Sequence, residues 1–290
     1  MMIGSIAERK AKAIHHTTSN VSPKIGKMVY DIVITAHSKD KNTLGLLIGS
    51  IRKYVVGFRN IYLIAKENFV GGSVIFIDEN QFAFGKNEVV GILARMGCPE
   101  YQFGWYYQQL LKLYAYQIIS NLSEYFLILD ADLIFINDVE FFDDSVPYFT
   151  TGYGHTQYYF DHMNKLLPGL TQQTPFSGIS HHMMFKRGIM TELFESVEKI
   201  HGMSFWKAFL NCVNFVGVSH YSCASEYEIY FNYVLKYHSG LYKIRQLKWN
   251  DDYGCDTRGN WNEMKKKRSG HVFVCRHDYN VNDHTRYRIE

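Results

Sequence analysis

Two aspartates one residue apart lie in the most apolar part of the chain. Asp130 and Asp132 interrupt the run EYFLILDADLIFI at 124–136. Side chains two residues apart on an extended strand point to the same face, so both carboxylates can face one spot. Burying two carboxylates without a counter-charge is costly, and Mg²⁺ or Mn²⁺, which prefer carboxylate oxygens, would supply that charge. The alternative is a strand end whose aspartates cap the next turn; the long apolar run favours the metal site.

Positioning these carboxylates requires a strand, and the first half of the chain alternates strand and helix patterns. β-Branched and apolar runs predict strands at 29–36, 60–65, 73–77 and 124–136. Helical spacing of apolar residues predicts helices at 43–55 and 104–120. This alternation indicates an α/β fold with a mostly parallel sheet covered on both faces. Such sheets bind ligands at the carboxyl ends of their strands. Three of those ends are polar here: Ala36-His37-Ser38, Asp78-Glu79 and Asp130-Ala131-Asp132.

The second half of the chain is less regular. Strands are predicted at 148–154, 179–186, 242–249 and 271–276, and helices at 191–201, 204–212 and 225–237. Ser225 is a good N-cap for the last helix, and Glu228 three residues later completes a capping box. No internal repeat or linker is visible, so residues 28–290 are expected to form one domain, preceded by a tail or peripheral arm at 1–27.

Composition and charge narrow the classes of partner. The 290 residues include 31 basic and 28 acidic side chains, and the net charge of +3 predicts no nucleic-acid partner. The five cysteines contain no C-x-x-C pair, which predicts reduced thiols with neither a zinc site nor a disulfide framework. No apolar run approaches the ~20 residues of a transmembrane helix, and residues 1–27 lack a signal-peptide core. We therefore expect a soluble, cytoplasmic protein.

Three segments of the chain resemble one class of enzyme. They are the acidic strand YFLILDADLIF at 125–135, the helix GWYYQQLLKL at 104–113 and the helix start SEYE at 225–228. The first is similar to the D-x-D strand of GT-A nucleotide-sugar glycosyltransferases. The other two are similar to segments of small enzymes of this class from bacterial polysaccharide synthesis and from chlorella viruses that glycosylate their capsids. The likeness covers residues 29 to about 279.

The resemblance implies a GT-A fold, with a mostly parallel central sheet flanked by helices and a smaller, mixed acceptor-side region. Residues 28–140 would form the nucleotide-binding half and residues 141–290 the acceptor half. The implied activity is metal-dependent transfer of a sugar from a nucleotide diphosphate sugar, of UDP or GDP type, to a hydroxyl of a glycan or glycoprotein. If the chain is viral, its location would be the host cytosol.

The resemblance also implies roles for individual residues. Donor contacts are expected from Thr35, Ala36, His37, Asp78, Lys112, Asp130 and Ala131. The Mg²⁺ or Mn²⁺ ion is expected on Asp130, Asp132 and a histidine near the C-terminus, for which we favour His277 over His271. Lys112 would add a positive charge beside the donor phosphates, although a solvated helix lysine is equally compatible with its position.

On the acceptor side, the resemblance implies a carboxylate base at a helix start for an inverting enzyme, and Glu226 has that position. Adjacent residues of a strand face opposite ways, so at most one of His181 and His182 can point into the site. Trp249 is expected to lie in a polar-aromatic region that stacks on a sugar ring.

Three alternatives stay open. The first is a retaining GT-A enzyme, although HSGLYK at 238–243 matches the retaining motif H-x-x-G-x-x-K-P-W poorly. The second is a metal-dependent nucleotidyltransferase, although AHSKD at 36–40 lacks the glycines of a phosphate-binding loop. The third is a non-catalytic carbohydrate-binding protein, which would leave Asp130 and Asp132 without a role.

Overall fold

The computed structural model describes residues 28–72, 74–216, 222–251 and 270–275, so the predicted tail at 1–27 lies outside the described residues. Within these ranges the helices are α1 (Lys41–Tyr54), α2 (Lys86–Arg95), α3 (Phe103–Ile118), α4 (Gln157–Leu166), α5 (Arg187–His201), α6 (Phe205–Asn211) and α7 (Glu226–Tyr237). The strands are β1 (Tyr30–Thr35), β2 (Val55–Val56), β3 (Phe58–Ala65), β4 (Val74–Asp78), β5 (Tyr125–Asp130), β6 (Leu133–Phe135), β7 (Val139–Glu140), β8 (Phe142–Asp143), β9 (Val146–Thr150), β10 (His182–Lys186), β11 (Lys243–Arg245), β12 (Trp249–Asp251) and β13 (Phe273–Cys275).

Five strands form the central sheet, in the order β10-β5-β1-β3-β4. β1 pairs in parallel with both β5 and β3, and β3 pairs in parallel with β4. β10 is antiparallel to β5 at one edge of the sheet. The prediction of an α/β fold with a mainly parallel central sheet and flanking helices is therefore confirmed.

The composition of the central strands explains their position. All six residues of β1 are buried, as are residues 126–129 of β5, and both strands are rich in branched aliphatic side chains. Continuous apolar strands of this kind are typical of parallel sheets covered on both faces. Helix α3 leads directly into β5, so it runs against the strands. Its first turn consequently lies at the carboxyl edge of the sheet, where parallel sheets bind ligands.

Three smaller sheets have the orders β11-β9-β8, β12-β13-β6 and β2-β7. The first two are mixed: β11 is parallel to β9 and β12 is parallel to β13, whereas β8–β9 and β13–β6 are antiparallel. A two-residue turn at 131–132 joins β5 of the central sheet to β6 of the second small sheet. The expected smaller, mixed region is present; its role in binding an acceptor remains a prediction.

Four local predictions were wrong. The strand predicted at 242–249 is two short strands, β11 and β12, which belong to different sheets. The apolar run at 124–136 is not one strand, because it breaks at the acidic residues into β5 and β6, which belong to different sheets. β10 begins at His182 and not at residue 179, because His181 has a left-handed backbone with a φ of 61°. Half of the predicted capping box is absent: Ser225 accepts a hydrogen bond from the Glu228 N–H, but the Glu228 carboxylate accepts from Ser177 and Asn232 instead.

Two further features concern the described residues only. Cys98, Cys212, Cys223 and Cys275 are buried, and none of the four is joined to another described cysteine by a disulfide; the reduced state of the cysteines remains a prediction. Within the described ranges, no helix has both the length and the apolar character needed to span a bilayer.

Candidate metal and substrate site

Three potential metal ligands meet where β5 ends. Asp130 is the last residue of β5 and Asp132 lies in the turn that follows, so the two carboxylates converge across a turn and not along one extended strand. His181, which precedes β10, completes the group: one ligand atom from each of the three residues lies within 4.8 Å of the others. Two carboxylates and an imidazole form a donor set suited to Mg²⁺, Mn²⁺ or a related divalent cation.

His181 is held against Asp130 by the backbone. The Asp130 N–H donates to the His181 carbonyl at 3.0 Å, and His181 Nδ1 lies 3.3 Å from Asp130 Oδ2. The His181 φ of 61° lies in the left-handed region, which costs a non-glycine residue about 1–2 kcal/mol. Such strain persists where the surrounding structure fixes it, which is common at functional sites.

The two adjacent histidines lie in different environments. His181 faces the acid pair, whereas His182 is buried and its Nε2 lies 2.9 Å from Thr150 Oγ1. Burial lowers the pKa of His182 to about 3, so this imidazole is neutral at physiological pH. This arrangement agrees with the expectation that at most one of the two histidines points into the site. The sequence placed His181 on the acceptor side; the structure places it beside the predicted metal ligands.

A buried lysine joins the acid pair to helix α7. Lys112 is 4% exposed, and its Nζ donates to Asp130 Oδ1 at 2.5 Å and to Glu226 Oε1 at 2.7 Å. Burial by itself would lower the pKa of Lys112, but the two carboxylates raise it overall. Because two carboxylates already match this charge, the expected role of Lys112 as an additional positive charge beside the donor phosphates is not supported.

Contacts with Lys112 and His181 set the charge of Asp130. Burial would raise the pKa of Asp130, but Lys112 and His181 together hold it well below its usual range, so this side chain is ionised. Tyr227 also donates to Asp130 Oδ1, at 2.8 Å. Asp130 Oδ1 therefore accepts from two protein donors, and Oδ2 is the oxygen turned towards His181.

Glu226 lies behind Lys112 and away from solvent. It is the first residue of α7, its N–H donates to Gln109 Oε1 at 3.1 Å, and only 5% of its side chain is exposed. Burial raises the pKa of Glu226, and Lys112 opposes this increase. A general base must come within hydrogen-bond reach of the acceptor hydroxyl, either directly or through one water. In this conformation the Glu226 carboxylate is shielded and ion-paired with Lys112, so the geometry does not favour the predicted role as base.

The residues expected to bind the donor nucleotide lie along the carboxyl edge of the sheet. Thr35 pairs in register with Asp130, and its buried Oγ1 has no hydrogen-bond partner among the described residues. Ala36 is half-buried and His37 is exposed, with Nδ1 capping the following short turn. Asp78 lies three strand spacings from Asp130, or about 14 Å. Its Oδ1 accepts hydrogen bonds from the backbone and side-chain nitrogens of Asn80.

Other predicted residues have simpler positions. Ala131 is buried within the turn between the two aspartates. Trp249 is half-buried: it stacks on Phe273 and presents its ring to His181 at 5.0 Å. His277 lies outside the described residues.

Sequence reasoning missed Gln109 and Tyr227. Both lie within the motifs quoted above, GWYYQQLLKL and SEYE. Gln109 bridges the two motifs, because it donates to the Ala224 carbonyl and accepts from the Glu226 N–H. The sequence carried a signal for this hydrogen bonding. Both motifs place polar residues on the buried face of a helix, where they need hydrogen-bond partners.

Comparisons with known proteins identify a family. A family model described as "Family of unknown function (DUF6492)" matches residues 31–254 of the chain. The chain belongs to this family. No match to a curated protein was found. Among solved structures, the crystal structure of mouse xyloside xylosyltransferase 1 in its apo form is similar, with a TM-score of 0.44 and 11% sequence identity. The match covers 88% of this chain and 99% of that chain. Function is therefore argued from the site's own residues.

Proposed function

We propose that the chain is a metal-dependent glycosyltransferase of GT-A type that moves a sugar from a nucleotide diphosphate sugar to a hydroxyl of a glycan or glycoprotein. The observation that carries the proposal is the convergence of Asp130, Asp132 and His181 at the carboxyl edge of a parallel sheet. Ligands of open α/β sheets bind outside this edge. A cation held by such a donor set would match the negative charge of a nucleotide diphosphate.

The protein's own contribution at the metal is positioning. Asp130, Asp132 and His181 would hold the cation, and the cation would neutralise the charge that develops on the leaving diphosphate. Lys112 and Tyr227 fix the Asp130 carboxylate from the protein side. His277 remains a predicted further ligand.

The position of β13 supports that prediction for the C-terminal histidine. Cys275, the last described residue before His277, pairs with Leu133, which directly follows Asp132. The described chain therefore ends beside the acid pair.

The donor nucleotide is proposed to lie along the strand ends, from Asp130 towards Asp78. The buried Thr35 Oγ1 has no partner among the described residues, and a buried hydroxyl in this state favours a ligand that supplies a hydrogen bond. Ala36 and His37 continue the chain from this point. The proposal covers both UDP and GDP as the nucleotide.

The role of Glu226 bears on the stereochemistry. The sequence predicts inversion with Glu226 as the base, but its carboxylate is bonded to Lys112. We propose instead that Glu226 acts through Lys112, by holding the lysine that orients Asp130. The anomeric configuration of the first product, read by NMR, separates the inverting mechanism from the retaining alternative.

The test is a panel of UDP- and GDP-sugars incubated with the protein in Mn²⁺ and, separately, in EDTA. We expect cation-dependent release of UDP or GDP by the wild type and by Asp138→Asn, an exposed aspartate of the same segment. Asp132→Asn should release neither. Equal turnover in EDTA, or undiminished turnover in Asp132→Asn, would contradict the proposal. If the protein instead releases pyrophosphate when a nucleoside triphosphate is the substrate, the nucleotidyltransferase alternative is favoured. If it binds a sugar with an affinity that nucleotides do not change, the carbohydrate-binding alternative is favoured.

A further inference from the structure

One face of α3 carries a row of residues that ends in an exposed tryptophan. Trp105, Gln108, Gln109 and Lys112 have the i, i+3, i+4, i+7 spacing that places side chains on the same face of a helix. Lys112 donates to Asp130, and Gln108 donates to the Thr35 carbonyl at 3.4 Å. The row therefore faces the candidate site, and Trp105 is its outermost member.

Trp105 differs from the other tryptophans of the described ranges. It is 41% exposed, whereas Trp206 is 4% exposed and Trp249 is half-buried against Phe273. Within the described ranges, no aromatic ring stacks on Trp105. An indole that lies on the site-facing side of a helix and is left open to solvent can receive a flat ligand.

The spacing along the helix sets the position of Trp105 relative to the acid pair. An α-helix rises 1.5 Å per residue, so Trp105 lies about 10 Å from Lys112 along the axis of α3. Because α3 runs against the strands, this displacement leads outward from the carboxyl edge of the sheet. Gln108, in the turn between them, hydrogen-bonds the helix to the end of β1, where Thr35 Oγ1 is buried with no hydrogen-bond partner in the described part of the chain. Trp105 therefore lies beyond the strand end proposed for the nucleoside.

We infer that Trp105 is the stacking platform for the base of the donor nucleotide. The inference rests on the proposed function, because it needs a nucleotide whose phosphates are held at Asp130. A nucleoside diphosphate anchored there spans a separation of this size and brings its base to the indole. Stacking on an aromatic side chain accepts every base, because each has a π-face. Trp105 therefore adds affinity for the nucleotide without choosing between uracil and guanine.

Tryptophan fluorescence measures this contact directly. UDP and GDP are titrated in the presence of Mg²⁺, which does not quench fluorescence, into the wild type, Trp105→Phe and Trp206→Phe, and their dissociation constants are measured in parallel by calorimetry. Trp206 is the control because it is buried in α6. We expect the nucleotide to quench the wild type and Trp206→Phe, and the quenching to disappear in Trp105→Phe. Quenching that persists in Trp105→Phe would overturn the inference, as would quenching by a free sugar acceptor but not by the nucleotide.

Affinity gives a second readout. Trp105→Ala should weaken nucleotide binding roughly 5- to 150-fold, whereas Trp105→Phe, which keeps a ring, should weaken it less. The control is Tyr237→Ala, because Tyr237 is a 47% exposed aromatic residue at the far end of α7, and it should leave the affinity unchanged. Circular dichroism verifies that each variant is folded.

The outcomes separate the two proposals. Nucleotide binding by the wild type together with an affinity of Trp105→Ala within twofold of it would refute the role of Trp105 and leave the proposed function intact. A wild type that binds neither UDP nor GDP in Mg²⁺ would refute both.

Discussion

The buried charges around Lys112 predict that two substitutions change divalent-cation binding in opposite directions. Lys112→Met removes a positive charge that contacts Asp130, whereas Glu226→Gln removes the negative charge behind it. Tyr227 still holds the Asp130 carboxylate in Lys112→Met, so the change of charge decides the outcome: cation affinity should rise in Lys112→Met and fall in Glu226→Gln. The double variant lacks both charges, so its affinity should return towards that of the wild type.

Coulomb's law gives the magnitude. Lys112 Nζ lies 2.5 Å from one oxygen of Asp130, so its charge is close to an ion bound at the other oxygen. Even with the dielectric constant of water, a unit charge about 7 Å from a divalent ion contributes roughly 1.2 kcal/mol, or about eightfold in affinity. Glu226 is one contact farther away, and at about 10 Å the same estimate gives roughly fourfold. The lower effective dielectric near a protein surface makes both figures minimum values before screening by salt.

The same substitutions affect the fold. Lys112→Met leaves two carboxylates without their cation, and breaking a buried ion pair in this way costs about 3–5 kcal/mol of unfolding free energy. The matched control is Lys199→Met, because Lys199 is an exposed lysine in the last turn of α5. That change should stay within about 0.5 kcal/mol of the wild type.

Calorimetry with Mn²⁺ and urea unfolding at neutral pH measure these effects on the wild type, the two single variants, the double variant and the Lys199→Met control. A shift of cation affinity in the same direction for both single variants would refute the reasoning, as would a Lys112→Met variant as stable as Lys199→Met. If Glu226→Gln slowed sugar transfer by about 10²-fold or more while cation affinity stayed unchanged, Glu226 would be the base, and the positioning role proposed for it would be wrong.

Three further predictions concern single residues. His181→Asn keeps a residue that tolerates the left-handed backbone, so the thermal midpoint should hold while cation affinity by calorimetry falls roughly tenfold or more; unchanged affinity would remove His181 from the site. Gly178→Ala places a Cβ 2.6 Å from Phe231 Cβ and should lower the free energy of unfolding in urea by about 1–3 kcal/mol. Gly154→Ala should be nearly neutral, because no atom of the described residues lies within 4 Å of the added Cβ; equal costs would contradict this packing. Burial lowers the pKa of His162 to about 4, whereas an unfolded histidine titrates near 6.5, so the unfolded state binds the extra proton first. The free energy of unfolding should therefore have its full value above pH 6.5 and fall by up to roughly 3 kcal/mol between pH 6.5 and pH 4. His162→Gln should lose less stability over the same window, and an equal loss would refute the assignment.

The parallel sheet could be predicted because its strands are short apolar runs that end in polar turns. The break between Asp130 and Asp132 could not, because apolar residues flank it on both sides and β6 separates from β5 only by pairing with β13, about 140 residues later. Helices α2 and α4 were not predicted. Neither has a side-chain N-cap, and α2 contains adjacent valines and Gly91, which lower its intrinsic helix propensity.

The candidate site, like the fold, could be predicted only in part. Asp130 and Asp132 were recognisable from sequence because two charges in an apolar run need a physical reason. The partner of Lys112 was not, because Glu226 lies 114 residues away and meets it only when α7 packs beside α3. Strand alternation predicted that at most one of the two adjacent histidines faces the site, but His181 lies before β10, and its left-handed backbone decides which one does.

The central claim is that Asp130 and Asp132 hold a cation through which a nucleotide diphosphate binds. Calorimetric titration of UDP and GDP into the wild type, Asp132→Asn and Asp138→Asn, each with and without Mn²⁺, tests it most directly. We predict that one nucleotide binds the wild type and Asp138→Asn only when Mn²⁺ is present, and that Asp132→Asn binds neither. Nucleotide affinity that is the same without the cation, or that survives in Asp132→Asn, would contradict the claim.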